Sequence, residues 1–190
     1  MNKLLNKYQK GEFEYVSYDK IRTIITTFIL FALSIGLYIT GYVTTGSNKN
    51  LLTVVAILGM LPASKSLVSL IMKLRIKTAD ISLKEELDKY SDSVTGLYNI
   101  YLTSYDTNFY CDHMTVLNNS LICYTSSDKF DIKKFEAHME KHMKLDGIKD
   151  IMIKVFTDKK AYLKRINEIS ALDNRETNEQ LYRLICNISL

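Results

Sequence analysis

Two apolar stretches dominate the first half of the chain. Ile24 to Val43 carries no charged residue, and Leu51 to Met72 carries only Lys65. At about 1.5 Å rise per residue, twenty helical residues match a hydrocarbon core of roughly 30 Å. The seven residues between the stretches leave room only for a tight turn, so the pair reads as a membrane hairpin. The first run is too long for a signal peptide and no small-residue cleavage pattern closes it, so both helices are expected to stay in the mature protein. Lys3, Lys7, Lys10, Lys20 and Arg22 precede the hairpin and Lys73, Arg75 and Lys77 follow it, against Lys49 alone in the turn. That asymmetry predicts a multi-pass inner-membrane protein with both termini in the cytoplasm. Tyr8, Phe13, Tyr15 and Tyr18 before the first helix, and Tyr38 and Tyr42 at its end, are placed to anchor it at the two interfaces.

The formal net charge of +4 is unevenly spread. Residues 1–75 carry a net +6 and residues 76–190 a net −2. The basicity therefore belongs to the membrane flanks, where each Lys or Arg attracts anionic lipid headgroups by about 1 kcal/mol. A slightly acidic remainder lacks the cationic footprint that phosphate backbones require, so nucleic acid is not an expected partner. Cys111, Cys123 and Cys186 all fall in the part assigned to the cytoplasm and are expected as reduced thiols, with no paired zinc spacing.

Within the hairpin, Ala32, Gly36, Thr40 and Thr44 recur every four residues on the first helix, and Ala56, Gly59 and Ala63 form a matching small-residue set on the second. Such stripes let helix backbones approach closely in lipid, which predicts helix packing here. Lys65 follows Pro62 inside an otherwise apolar run; a proline removes one helical hydrogen bond, and an ammonium at the bilayer centre costs about 2.5 to 3.5 kcal/mol. Two placements follow. Either the helix runs on to Met72 and Lys65 snorkels, or the chain bends at Pro62 and residues 64–75 lie along the surface, Leu67, Leu70, Ile71 and Leu74 facing lipid and Lys65, Ser69 and Lys73 facing headgroups. Lys65, Ser69 and Lys73 are the candidate contacts to a lipid or other anion.

The organisation expected is a juxtamembrane segment over 1–23, the hairpin over 24–75 and one α/β (α+β) domain over 76–190. Apolar positions from Asp80 to Tyr105 suggest helix, with a break near Ser91 to Ser93. Met114 to Leu117 and Leu121 to Thr125 flank Asn118-Asn119-Ser120 and read as a β-hairpin. Asp131 opens a helix that Asp146-Gly147 ends, Ile151 to Phe156 is a strand, and Thr157 or Asp158 caps a helix from Lys159 to about Leu172. Asp173-Asn174 separates it from a last helix over Thr177 to Asn187. A small three-stranded mixed sheet covered by helices is the expected fold.

No complete catalytic set emerges. His138 and His142 lie i, i+4 on a predicted helix, but Met139 stands where a zinc-protease motif has its glutamate, and Lys134, Lys141 and Lys144 oppose a cation. There is no phosphate-cradling glycine loop and no G-x-S-x-G elbow. Neither metal nor cofactor is expected.

Asp112 just before the hairpin, with the order helix, hairpin, helix, strand, resembles a reduced restriction-endonuclease-like core over roughly Asn99 to Leu172. That resemblance implies a metal site needing a further acid and a lysine on the second hairpin strand, where this chain has Cys123-Tyr124-Thr125. Over nearly its whole length the chain resembles small two-helix membrane proteins of clostridial Gram-positive bacteria. The residues that carry this are Lys10-Gly11-Glu12, Gly41-Tyr42-Val43-Thr44-Thr45, Leu51-Leu52-Thr53-Val54-Val55-Ala56, Leu61-Pro62-Ala63-Ser64-Lys65-Ser66, Thr103-Ser104-Tyr105 and Val155-Phe156-Thr157-Asp158. It implies the two-helix architecture and brings no activity with it. The leading expectation is a non-enzymatic membrane anchor or scaffold presenting its domain to another protein or to itself. The alternatives are a nuclease-like or other hydrolytic enzyme and a transport or lipid-handling subunit built on Lys65 and Pro62.

Overall fold

A computed structural model describes residues 8–90, 96–117, 119–171 and 178–190. The chain divides into two compact units, one of Ser17–Arg75 and one of Met1–Val16 with Ile76–Leu190.

The first unit is a helical hairpin. Helix α1 spans Tyr15–Thr45 and α2 spans Leu51–Leu74, and both are long and apolar enough to cross a membrane. Gly46, at φ +64°, follows α1, and the side chain of Asn50 caps α2 by accepting from the Thr53 amide at 2.8 Å. Pro62 is accommodated inside an uninterrupted α2, so residues 64–74 continue the helix.

The two helices meet along a seam with a seven-residue repeat. Thr27 and Ser66 share a hydrogen bond at 2.7 Å, a Cβ on Gly59 would stand 2.7 Å from the Ser34 hydroxyl, and one on Gly41 would stand 2.8 Å from the Leu52 Cβ. Going from one pair to the next moves seven residues up one helix and seven down the other, the spacing that keeps a contact on one line along paired helices. Ala56 and Ala63 are buried, as the small-residue stripe on α2 predicts. On α1 the expectation needs correcting. Ala32 and Thr40 are exposed and Gly36 has nothing within 4 Å of a would-be Cβ, because at about 100° per residue Ala32 and Gly36 lie about 160° around the helix from the seam residue Ser34. The inner face of α1 is instead Thr23, Thr27, Ser34 and Gly41.

The second unit is an α+β fold with one mixed sheet. It comprises α3 (Ile81–Leu87), a 3-10 turn at Asp88–Tyr90, β1 (Gly96–Thr103), β2 (Asn108–Leu117), β3 (Ser120–Tyr124), α4 (Ile132–Leu145), β4 (Met152–Phe156), α5 (Lys159–Ser170) and α6 (Glu179–Ile188). The strands lie in the order β1-β2-β3-β4, antiparallel except for the parallel β3–β4 pair that α4 connects. Helices α4 and α6 cover one face through Phe135, Met139, Met143, Leu181, Leu184 and Ile185; α3 and α5 cover the other through Leu83, Leu87, Tyr162, Ile166 and Ile169. Asp131 caps α4, Gly147 at φ +73° follows it, and Asp158 caps α5, as the sequence predicts. Asn118, residues 91–93 and the break at Asp173-Asn174 lie outside the described residues.

The sheet has four strands where three were expected. Residues 96–103, assigned to a helix from their apolar spacing, form β1. The cause is local. Leu97 and Ile100 both join the α4/α6 core, as do Cys111 and Met114 on the neighbouring strand, so both strands break the two-residue alternation at the same place. That place is Asn99, at φ +56°, opposite Asp112. A three-residue apolar interval in a strand buried on both faces carries the signature of a helix.

Residues 8–16 are part of this unit. The Tyr98 amide donates to the Gly11 carbonyl at 2.7 Å, and the Leu190 amide donates to the Tyr101 carbonyl at 2.9 Å, so Gly11 and Leu190 flank the outer edge of β1. Gly11, at φ +97°, passes so close to Leu97 that a Cβ would stand 2.1 Å from its Cδ2. Lys10 donates to the Cys186 and Ser189 carbonyls at the end of α6. The opposite edge is β4, with Lys154 exposed at its midpoint.

The seam makes a discriminating prediction. Gly59→Leu pushes a side chain into Ser34 and should lower the thermal midpoint of the full chain in detergent by several degrees, whereas Gly36→Leu should leave it unchanged. Equal midpoints for the two variants would contradict the seam.

Candidate functional site

Two polar constellations stand out, one inside the sheet and one between the hairpin helices. In the sheet, Asp112 is 4% exposed and its carboxylate is fully occupied. One oxygen accepts from the Ser126 amide at 2.5 Å and the other from the Ser126 hydroxyl at 3.2 Å. Thr125, beside it, donates to the Tyr110 carbonyl at 2.7 Å and accepts from the Ser127 amide at 3.2 Å. Together these bonds tie the loop after β3 down onto β2. Burial, with the Asp112 charge beside it, pushes the Tyr110 phenol well above its ordinary range, so the hydroxyl stays a donor.

His113 occupies the other face beside Tyr98, Tyr124 and Tyr162. Its Nδ1 lies 2.5 Å from the Tyr162 hydroxyl, its ring lies 4.5 Å from that of Tyr98, and Tyr162 stacks on Tyr124 at 5.3 Å. A Cβ on Gly96 would stand 1.9 Å from His113 Nε2, so only glycine fits at the start of β1. Burial drives the imidazole pKa down from 6.5 to about 3 and raises the Tyr162 phenol. A neutral, buried imidazole bonded to a neutral phenol packs and orients the rings around it.

The thiols of Cys111 and Cys123 touch at 2.7 Å in the core, and burial pushes Cys111 up, which keeps it a thiol. His138 and His142 lie edge to face at 4.6 Å on α4, and burial, with His142 and Lys141 nearby, lowers the His138 pKa. Among the described residues no group of three or more His, Cys, Asp or Glu is arranged to hold a metal ion. Of the acids near the resembled nuclease position, Asp131 is committed as the α4 cap, its oxygen 3.1 Å from the Lys134 amide.

The hairpin constellation is of a different kind. A groove of about 440 Å³ lies between α1 and α2 towards the open end of the hairpin, lined by Asp19, Arg22, Thr26, Lys65, Ser69 and Lys73, with Leu30 and Pro62 at its apolar end. The structure thus brings together all three residues singled out from the sequence, Lys65, Ser69 and Lys73, and adds Asp19, Arg22 and Thr26 from the facing helix. Their roles divide. The Lys73 ammonium pairs with Asp19 at 2.7 Å and donates to the Thr23 hydroxyl at 3.0 Å, so it serves the helix contact. Thr26 donates to the Arg22 carbonyl at 2.9 Å. Lys65, among the described residues, makes neither an ion pair nor a hydrogen bond, and the Ser69 hydroxyl is likewise unengaged. Among the described residues lining the groove the carboxylate is that of Asp19, and it is paired with Lys73. The sequence signal that reaches the α1 members is the seven-residue seam, because extending it from Thr27 towards the N-terminus brings this turn of α1 to face α2.

No protein-family model, curated protein or solved structure matches the chain.

His113 sets a pH dependence. Between pH 6.5 and 3 the unfolded chain takes up a proton that the folded chain refuses, so stability is full above pH 6.5 and falls as the pH drops through that window. At pH 5 the loss is about 2 kcal/mol. Thermal melts of the full chain in detergent from pH 7.5 to 4.5 should show this slope, and His113→Gln should flatten it; an unchanged slope in the variant would contradict the buried neutral imidazole.

Proposed function

We propose that this protein is a membrane-anchored, non-enzymatic scaffold. In this reading its hairpin crosses the inner membrane, both termini lie in the cytoplasm, and the α+β unit is presented there for protein contacts. The observation that carries the proposal is the sorting of side chains in the hairpin. The hydroxyls of Thr27 and Ser66 pair inwards, Ser34 packs on Gly59, and the outward faces display Phe28, Leu33, Ile39, Val43, Ile57, Leu61, Val68 and Ile71. In water so large a contiguous apolar surface is unfavourable at about 25 cal/mol per Å². In a bilayer it is the natural exterior, and the inward pairing of polar groups is what a solvent without hydrogen bonds demands.

The non-enzymatic part of the reading draws support from Asp112 and His113, the two groups in the sheet best suited to chemistry. Each is buried and spent on an internal partner, Ser126 and Tyr162 respectively. The charge asymmetry across the hairpin supports the orientation.

Single cysteines test the topology. Ser47→Cys in the inter-helix turn and Tyr105→Cys on the fully exposed β1–β2 turn are to be compared in a Cys186→Ala background, since Cys111 and Cys123 are buried. In intact cells an impermeant thiol reagent should label position 47 and reach position 105 only after permeabilisation. Labelling at 105 in intact cells would overturn the orientation. Metal-dependent degradation of DNA or RNA that disappears in Asp112→Asn would replace the scaffold reading with an enzymatic one.

A further inference from the structure

The groove between α1 and α2 holds an ammonium, that of Lys65, which no described residue pairs. Lys65 lies about six residues, roughly 9 Å along the axis, inside the end of a 30 Å apolar span counted from Leu51. An ammonium at that depth is stabilised by reaching a headgroup or by a paired anion, and among the described residues it has no partner. Among the described residues that line the groove, the carboxylate of Asp19 is held by Lys73 at 2.7 Å. Arg22 lines the same groove from the facing helix, and Ser69 sits one turn along α2 from Lys65 with its hydroxyl unengaged. The chemistry that fits is an oxyanion able to accept from an ammonium, a guanidinium and a hydroxyl at once, and a phosphate does this. Leu30 and Pro62 make the deep end of the groove apolar, which suits a phosphate carried on acyl chains better than one free in water.

We propose that this groove holds the phosphodiester of an anionic phospholipid, with Lys65 and Arg22 pairing the phosphate and Ser69 donating to it. The site rests on the membrane reading of the hairpin. It makes the lipid a stoichiometric partner of the helix pair, drawn below the ordinary headgroup level along a polar track between the helices, and so distinct from the diffuse attraction of juxtamembrane cations to the bilayer surface. Lys73 is excluded from the recognition set and acts as a positioning residue, closing α1 on α2 through Asp19.

The experiment uses the full chain in mild detergent with phosphatidylglycerol added at low stoichiometry, and reads retained lipid by native mass spectrometry. One lipid per chain should survive. Lys65→Gln and Arg22→Gln should each weaken retention about tenfold, Ser69→Ala less, while Lys65→Arg and the turn variant Lys49→Gln should retain it. Phosphatidylcholine, whose choline offsets the phosphate charge, should bind more weakly than phosphatidylglycerol. Equal retention by Lys65→Gln, Arg22→Gln and Lys49→Gln would overturn the site. Displacement of the lipid by an equal concentration of inorganic phosphate would overturn the lipid as occupant. Alkaline extraction of membranes bearing the same variants separates the two layers of the argument: release of the wild-type chain would remove the membrane reading itself, whereas a chain that stays embedded yet retains no lipid removes only the site.

Discussion

Asn99 is the fixed point of the α+β unit. Its side-chain amide donates to the Phe13 carbonyl at 3.0 Å, and its side-chain oxygen accepts from the Ala79 amide at 2.6 Å and from the Tyr110 hydroxyl at 3.2 Å. Phe13 lies just before the hairpin and Ala79 just after it, so one side chain on β1 holds both the chain that enters the helices and the chain that leaves them. Holding a non-glycine residue at φ +56° costs energy, which asparagine tolerates better than most residues. The three bonds offset that cost, and losing the side chain would leave buried groups on three segments unpaired, at about 1–3 kcal/mol each. The same backbone twist sets the Leu97–Ile100 and Cys111–Met114 spacing that the core is built on.

The hairpin obeys a complementary rule. Where the sheet buries polar groups by bonding each to a neighbour, the helices place theirs on a single line and let small residues bring that line together. Thr23, Thr27 and Ser34 donate to carbonyls one turn back, at 2.7 to 3.0 Å, so each hydroxyl is satisfied even before the second helix arrives. Lys73 then closes the open end on Asp19, and Asn50, bonded to Thr45 and to the Ser47 carbonyl, closes the turn. Lys65 is the member left over from this pairing.

Much of this was legible in the residues. Asp131, Gly147 and Asp158 bound their elements by chemistry that acts within one turn of chain, and the two apolar runs announce their helices by length alone. What failed was non-local. β1 is buried on both faces and kinked at Asn99, and a sequence pattern holds no record of the bonds to residues 13, 79 and 110 that make the kink affordable. The inner face of α1 was misplaced because small residues draw attention to themselves, while Thr23, Thr27 and Ser34 show their purpose only beside Lys73, Ser66 and Gly59. Lys65, Ser69 and Lys73 were legible as one polar face, but the split between a structural Lys73 and an unpartnered Lys65 depends on Asp19, some fifty residues away.

One consequence of the strand order concerns growth of the sheet. At β1 the segments around Gly11 and Ser189–Leu190 occupy the outer edge, so no further strand can add there without displacing them. At β4, two copies brought together antiparallel about the midpoint set Lys154 against Lys154 and Asp150 against Asp158 of the same sign, a pairing that charge repulsion opposes. The sheet is thus closed at its two edges by different means, hydrogen-bonded cover at β1 and like charges at β4. For a chain whose two bilayer-length helices held it in a plane, where strand-by-strand templating would be most dangerous, edges closed in this way would leave the helix faces for contact between copies.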